Sequence, residues 1–297
     1  MRRTLVLTGL LFSLYGAAAV AQTSPASPRP QDLYCSGTIT NEDVPRDTYV
    51  ITGEGSNYKI TFTEGDYVYL NKGAAEGLKV GDVFSAIRKV EDPTEEDWSK
   101  WQSQIIRRMG TWWEDEGRVT VVVVNPNTAI AQVSNTCNYL QRGDTLLPFK
   151  ERLAPPLKSE ANFDRFAPAS GKAMAMVMIG KAFQISFGTN DVFFVNLGAA
   201  QGVKVGDYFR IFRYTGTQHE TAYQTRDAAF DLASNDTIYG RVYGFGVTGD
   251  KKKWKWDNTP REVIGEGIVL RTGTNSATIL TTYALRDFYV GDYVEIE

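Results

Sequence analysis

Apolar residues in this chain come in short runs, alternating or wholly apolar, each closed by Gly, Asn, Asp or Pro. That pattern predicts strands rather than long helices. Strands are expected over Tyr34 to Thr40, Thr48 to Thr52, Tyr58 to Thr63, Tyr67 to Leu70 and Val83 to Ile87. The alternating run Thr128 to Ser134 and the Thr145–Leu147 segment follow, and Val119 to Val124 reads as a strand buried on both faces. From Asp92-Pro93 the period changes. Pro at a first helical position, acids at Glu95, Glu96 and Asp97, and Trp98, Trp101, Ile105 and Met109 at helical spacing predict a helical insertion over 92–110, ended by Gly110. The indole stripe suits packing on the barrel better than a ligand platform.

One stretch occurs twice. Asp66 to Val90 aligns without a gap to Asp191 to Thr215, with twelve identities in twenty-five positions. Each copy runs strand, Asn-x-Gly turn, Ala-Ala-Glu/Gln, Gly, then Gly-Asp into the next strand. The turn residues are Gly73, Gly77, Gly81 and Asp82 in the first copy, and Gly198, Gly202, Gly206 and Asp207 in the second. Asn71, Gly73, Asn196 and Gly198 are expected to use positive φ, and Gly77 and Gly202 to cap one helical turn. Leu78, Val80, Val203 and Val205 are expected to drop onto the sheet. A strand follows each corner where a phosphate-binding loop needs a long helix, and no G-x-x-x-x-G-K-[ST] is present.

The second half repeats the order of the first: Ala173 to Ile179, Phe183 to Phe187, the corner, an insertion, then Ile268–Leu270, Ala277–Leu280 and a final strand after Gly291-Asp292. Short strands with non-local pairing close best into small barrels, which removes exposed edges. The fold expected is therefore all-β, two tandem β-barrels at 33–149 and 172–297. A Pro-rich linker at 150–171 joins them. The second barrel carries insertions at 215–240 and 249–262, and Ala222 to Leu232 is a candidate short helix.

The N-terminus has its own signature. Met1-Arg2-Arg3, the apolar run Leu5 to Val20 and Ala19-Val20-Ala21 read as a signal peptide over 1–21, by the general or the twin-arginine route. An uncleaved anchor is the competing reading, on a run marginal for spanning. Residues 22–32, Pro/Ser-rich, read as a flexible leader. The expected location is periplasmic or secreted. Two cysteines then remain, Cys35 and Cys137, and an even count in an oxidising compartment favours a disulfide.

Composition narrows function by exclusion. With 32 basic and 35 acidic residues the net charge is −3, which argues against a general nucleic-acid binder. The lone histidine, His219, has no second histidine or cysteine beside it for a metal site, and no G-x-S-x-G elbow is present. Acids such as Glu114-Asp115-Glu116 read as solvated turns. No catalytic residue, metal ligand or cofactor is assigned. The one local binding signal is Lys251-Lys252-Lys253-Trp254-Lys255-Trp256, whose cations and indoles suit a glycan, a polyanion or a membrane interface.

The arrangement of a strand, N-x-G-A-x-x-G-V-K-V-G-D-x-F and a strand pair ending in Gly-Asp resembles the C-terminal domain of the flagellar assembly protein T family. The resemblance covers Asp66 to Phe84 and Asp191 to Phe209, and more weakly Gly143-Asp144 and Gly291-Asp292. It implies a small β-barrel in a periplasmic protein and a role in envelope assembly. The expected function is a non-catalytic exported scaffold or adaptor whose partners are other envelope proteins. The alternatives are a cell-wall glycan or polyanion binder acting through the Lys/Trp loop and, last, a hydrolase.

Overall fold

The computed structural model describes residues 27–55, 57–91, 97–99, 101–158, 163–214, 229–231, 253–255 and 261–297. The chain is all-β with barrel domains. In the first half the strands are β1 (Thr38–Thr40), β2 (Val50–Gly53), β3 (Thr61–Phe62), β4 (Tyr67–Leu70), β5 (Val83–Lys89), β6 (Thr111–Val124), β7 (Ala129–Thr136), β8 (Leu140–Gln141) and β9 (Thr145–Pro148). Six of them run in the hydrogen-bonded order β2-β4-β7-β6-β5-β9. A Tyr49–Thr145 bridge spans the seam from β9 to β2, with hydrogen bonds from Val50 N to Asp144 O (3.0 Å) and from Gly143 N to Val50 O (2.8 Å).

The second half has β10 (Met174–Gly180), β11 (Ser186–Phe187), β12 (Val192–Val195), β13 (Tyr208–Tyr214), β14 (Ala229–Asp231), β15 (Lys253–Lys255), β16 (Arg261–Thr272), β17 (Ala277–Ala284), β18 (Phe288–Tyr289) and β19 (Tyr293–Ile296). Its barrel closes in the order β10-β12-β17-β16-β13-β19, the same circuit as the first. The β3–β8 ladder has its counterpart in β11–β18. Even the bulges recur: the β5–β6 register shifts between Ala86 and Ile87, and the β13–β16 register between Ile211 and Phe212.

The duplicated corner works largely as its residues require. Ala74–Glu76 and Ala199–Gln201 form single 3-10 turns, ended by Gly77 (φ 86°) and Gly202 (φ 85°) in the left-handed region. Glu76 Oε2 accepts the Gly73 N–H at 2.8 Å, and Gln201 Oε1 the Gly198 N–H at 2.9 Å. Asp82 and Asp207 each accept a backbone N–H three residues back, from Lys79 and Lys204, at 2.8 Å. Asp66, Asp144, Asp191 and Asp292 do the same at 2.7 Å, so each barrel has three such corners.

Gly73 and Gly198 depart from expectation. Both are extended, at φ −141° and −148°, and are glycine for a different reason. A Cβ would lie 2.3 Å from Asn125 O in the first and 2.4 Å from Gly273 O in the second. Val80 and Val205 also stay largely exposed, while Val203 is buried and Leu78 packs on the core edge.

Several elements differ from the sequence pattern. Pro30–Tyr34 is a short helix, α1, not leader followed by strand, and β1 begins only at Thr38. Pro30 fits a first helical position, the Arg29 N–H is bonded to Asp32, and Leu33 is buried. The insertion helix, α2 (Gln102–Met109), is shorter than expected. Residues 97–99 are not helical, and Trp101 is left-handed at φ 66°. Residues 92–96 lie outside the described set. Val119 to Val124 alternates in burial and leaves Val123 exposed. Of Tyr58 to Thr63 only Thr61–Phe62 is strand, and of Phe183 to Phe187 only Ser186–Phe187, after a 3-10 turn through Phe183. Residues 229–231, within the candidate helix Ala222 to Leu232, are strand, as are 253–255 and 261–262 in the expected loop.

Each barrel has its own core, and that of the second extends into the first half of the chain. Val50, Phe62, Val68, Phe84, Val119 and Val133 fill the first, whereas the second's core of Phe193, Phe194, Phe209, Ile279 and Phe288 also takes Ile39, Ile106, Met109 and Trp112 from the first half. β1 pairs with β6 of the first barrel. Its Ile39 O, and Gly37 O just before it, accept the hydroxyls of Ser276 and Thr278 from the second. Gln102 is fully buried and donates to Met178 O at 2.6 Å, where β10 bulges and leaves that carbonyl out of its ladder. The Cys35–Cys137 disulfide anchors the turn before β1 to the end of β7. The linker is not free chain: Arg165 O accepts from Val263 N at 2.8 Å, and Ala167 is buried. Among the described residues no helix is long and apolar enough to cross a membrane.

Candidate functional site: an arginine-lined cleft between the barrels

Acids expected in solvated turns are inside. Glu114-Asp115-Glu116 belongs to β6, with Asp115 and Glu116 buried. The bulge at Ala86/Ile87 turns these two consecutive side chains into different surroundings. Glu116 Oε1 meets Arg88 Nη1 at 3.1 Å, while its Oε2 has no partner among the described residues. Burial pushes its carboxyl up to about 7, against the pull of Arg88 and with a further push from Asp144. Arg88 also grips Asp144 with both arms, at 2.8 and 2.9 Å, and stacks on Tyr139. Arg213, Asp292 and Tyr289 repeat that arrangement in the second barrel. Tyr139 and Tyr289 are not register equivalents, since Tyr289 matches Gln141, but the Arg–Asp pair is part of the duplicated frame. Glu116 is not, because the paired register puts Ile264 in its place.

Asp115 faces the other way, into a cleft of about 510 Å³ between the barrels. Its Oδ2 accepts the Gly37 N–H at 2.8 Å and meets Arg271 Nη1 of the second barrel at 3.0 Å. Thr38 and Thr40 of β1, Ser85 and Ile87 of β5, and Trp113 of β6 line the same space. Leu147 and Pro148 of β9 form an apolar wall with Val44 and Pro45, and Glu42 and Asp43 stand at the rim. Lys150 and Arg152 enter from the start of the linker.

The cations here are unevenly satisfied. Arg271 is paired with Asp115. Arg152 donates from Nη1 to Leu33 O at 2.6 Å and lies over the Tyr34 ring, but pairs with no carboxylate among the described residues. Burial, then the neighbouring Arg271, lowers its pKa, against the pull of Asp115. Arg118, near Arg152 but not part of the cleft lining, stacks on Phe149 at 3.9 Å and on Tyr34 at 4.8 Å, with no carboxylate partner among the described residues. Trp113, 4% exposed, has an indole N–H with no acceptor among the described residues, and the Arg46 guanidinium lies over its ring.

The residues singled out from sequence sit elsewhere. The corner glycines and aspartates shape barrel ends, and Cys35 and Cys137 form the disulfide. Of the Lys/Trp loop, Lys253–Lys255 is described as backbone paired with Ala229–Asp231, while Lys251, Lys252 and Trp256 lie outside the described residues, as does His219. Trp98 and Trp101 are half exposed rather than packed on the first barrel, and the buried face of α2, Ile106 and Met109, faces the second. Sequence reading missed the cleft because its residues are distant in the chain; the apolar residues flanking Glu114-Asp115-Glu116 were the available signal. Among the described residues no three His, Cys, Asp or Glu side chains gather as a metal site. No protein-family model matches the chain, and no curated protein matches it significantly.

Proposed function

We propose that this chain is an exported, non-catalytic scaffold or adaptor of the bacterial envelope, whose paired barrels present different surfaces to partner proteins. The observation that carries this reading is the contrast between a duplicated frame and unlike insertions. Corners, bulges and Arg–Asp pairs repeat from barrel to barrel, while the chain between β5 and β6 and that between β13 and β16 differ in length and sequence. A fold held constant while its surface diverges suits recognition of several partners. The disulfide suits an oxidising compartment, which agrees with the signal-like N-terminus. The corner motifs add the resemblance to the flagellar assembly protein T family, and with it an assembly role beside a motor-like machine. In-cell cross-linking of the envelope tests the reading. Recovery of the same few proteins in fixed proportion is expected; monomeric elution without any partner contradicts it.

A second reading has one observation in its favour. β14 and β15 form a two-stranded ribbon outside both barrel circuits, and β15 carries Lys253-Trp254-Lys255. A wall glycan or polyanion bound there would make wild-type protein pellet with purified sacculi and leave Trp254→Ala/Trp256→Ala in solution. Equal pelleting of the two removes the ribbon from consideration.

A further inference from the structure

We propose that the cleft between the barrels receives the C-terminal carboxylate of a polypeptide that ends in an apolar residue. This rests on the adaptor reading and names the chemistry of one partner. The duplication supplies an internal comparison. The face of the first barrel that forms the cleft has an equivalent in the second, where Ile87 corresponds to Phe212, Asp115 to Val263 and Leu147 to Glu295. There the face is shut by the protein itself. Ala167 packs against Phe212 and Val263, with Phe163 beside them. Arg261 ties the covering segment down through Ala167 O at 3.0 Å and pairs with Glu295. In the first barrel the corresponding place remains open, at about 510 Å³, a volume in the range of small-ligand sites.

The open face differs in chemistry as well as in volume. Among the described residues Arg152 has no carboxylate partner where it reaches this face, and Lys150 stands exposed beside it. A guanidinium in such a position favours a carboxylate, with which it makes paired, charge-assisted hydrogen bonds. The lining as a whole is neutral, Lys150, Arg152 and Arg271 against Glu42, Asp43 and Asp115, so attraction for an anion comes locally from Arg152 and not from net charge. Asp115 already satisfies Arg271, and Glu42 and Asp43 at the rim repel a multiply charged anion. Leu147 and Pro148 offer apolar surface next to that charge. A terminal carboxylate beside an apolar side chain has this combination; a phosphate or a polyanion does not.

The test uses the full chain and two probes, N-acetyl-Leu-Leu with a free carboxylate and the same dipeptide as its amide. The readout is the Trp113 indole N–H resonance, assigned with Trp113→Phe. A saturable shift with the acid is expected, at least tenfold weaker with the amide and with Arg152→Gln. Because Arg152 also holds Leu33 O, its loss could disturb the fold. The exposed Lys150→Gln, which has no such contact to lose, should weaken acid binding at least threefold at an unchanged unfolding midpoint. Equal response to acid and amide overturns the proposal, as does no response at roughly 5 mM, well above a weak 1 mM interaction. An equal response to N-acetyl-Asp amide also overturns it in favour of side-chain carboxylates. Failure here with partners still recovered by cross-linking removes the cleft and leaves the adaptor; binding without partners does the reverse.

Discussion

Replacing Glu116 by Gln should change how stability depends on pH, in a direction that the burial of this group fixes. In the folded protein its carboxyl is raised from 4.5 to about 7 by burial, with Arg88 opposing and Asp144 adding to the effect. The folded state therefore holds this proton more tightly than the unfolded chain. The stabilisation is complete below pH 4.5 and is lost as pH rises through about 7. The displacement corresponds to at most about 3 kcal/mol. Glutamine keeps the shape and stays neutral, while Arg88 keeps its two-armed grip on Asp144. Urea denaturation of both proteins at pH 5 and pH 8 isolates this group. Other carboxyls titrating in the window, such as Glu266, also pushed up to about 7 by burial and by Glu297, cancel in the difference. Relative to wild type, Glu116→Gln should gain about 2 to 3 kcal/mol between pH 5 and pH 8. A difference that stays flat across that range refutes the burial argument.

Four further variants probe the frame. Removing the disulfide as Cys35→Ser/Cys137→Ser releases a loop with a sequence separation of 102, worth up to about 4 to 5 kcal/mol on the chain-entropy model, measurable as a lower urea midpoint. Gly198→Ala forces a Cβ to 2.4 Å from Gly273 O and should cost about 1 to 3 kcal/mol by thermal unfolding. Gly77→Ala, with open space around it but a left-handed φ, should cost about 1 kcal/mol. Ile39→Ala, in the core of the barrel to which its own strand does not belong, should lose about 2 to 5 kcal/mol and loosen the second barrel's amide protection.

How much of this was legible follows from how local each signal is. The corner could be read twice because its determinants lie within ten residues: a left-handed glycine, an aspartate bonded three residues back, and apolar strands on either side. The reason for Gly73 was invisible, because the atom that excludes a side chain is Asn125 O, brought there by another strand. The indole stripe misled because helical spacing assumes a helix. Trp101 is left-handed, so the turn containing Trp98 never joins α2. Glu116 and Asp115 look solvated in sequence and are buried only because Arg88 and Arg271 arrive from β5 and from the other barrel. The cleft draws on β1, β5, β6, β9, the linker and β16, a set that no window of sequence contains.

The claim on which the rest depends is that two copies of one barrel are fused into a single cooperative body by β1, α2 and the apolar residues that the first half places in the second barrel's core. Differential scanning calorimetry of the intact, disulfide-bonded chain tests it most directly. One transition is expected, with a calorimetric enthalpy about equal to the van't Hoff enthalpy. Two separable transitions, or a ratio of about two, would show barrels that unfold independently and would contradict the account.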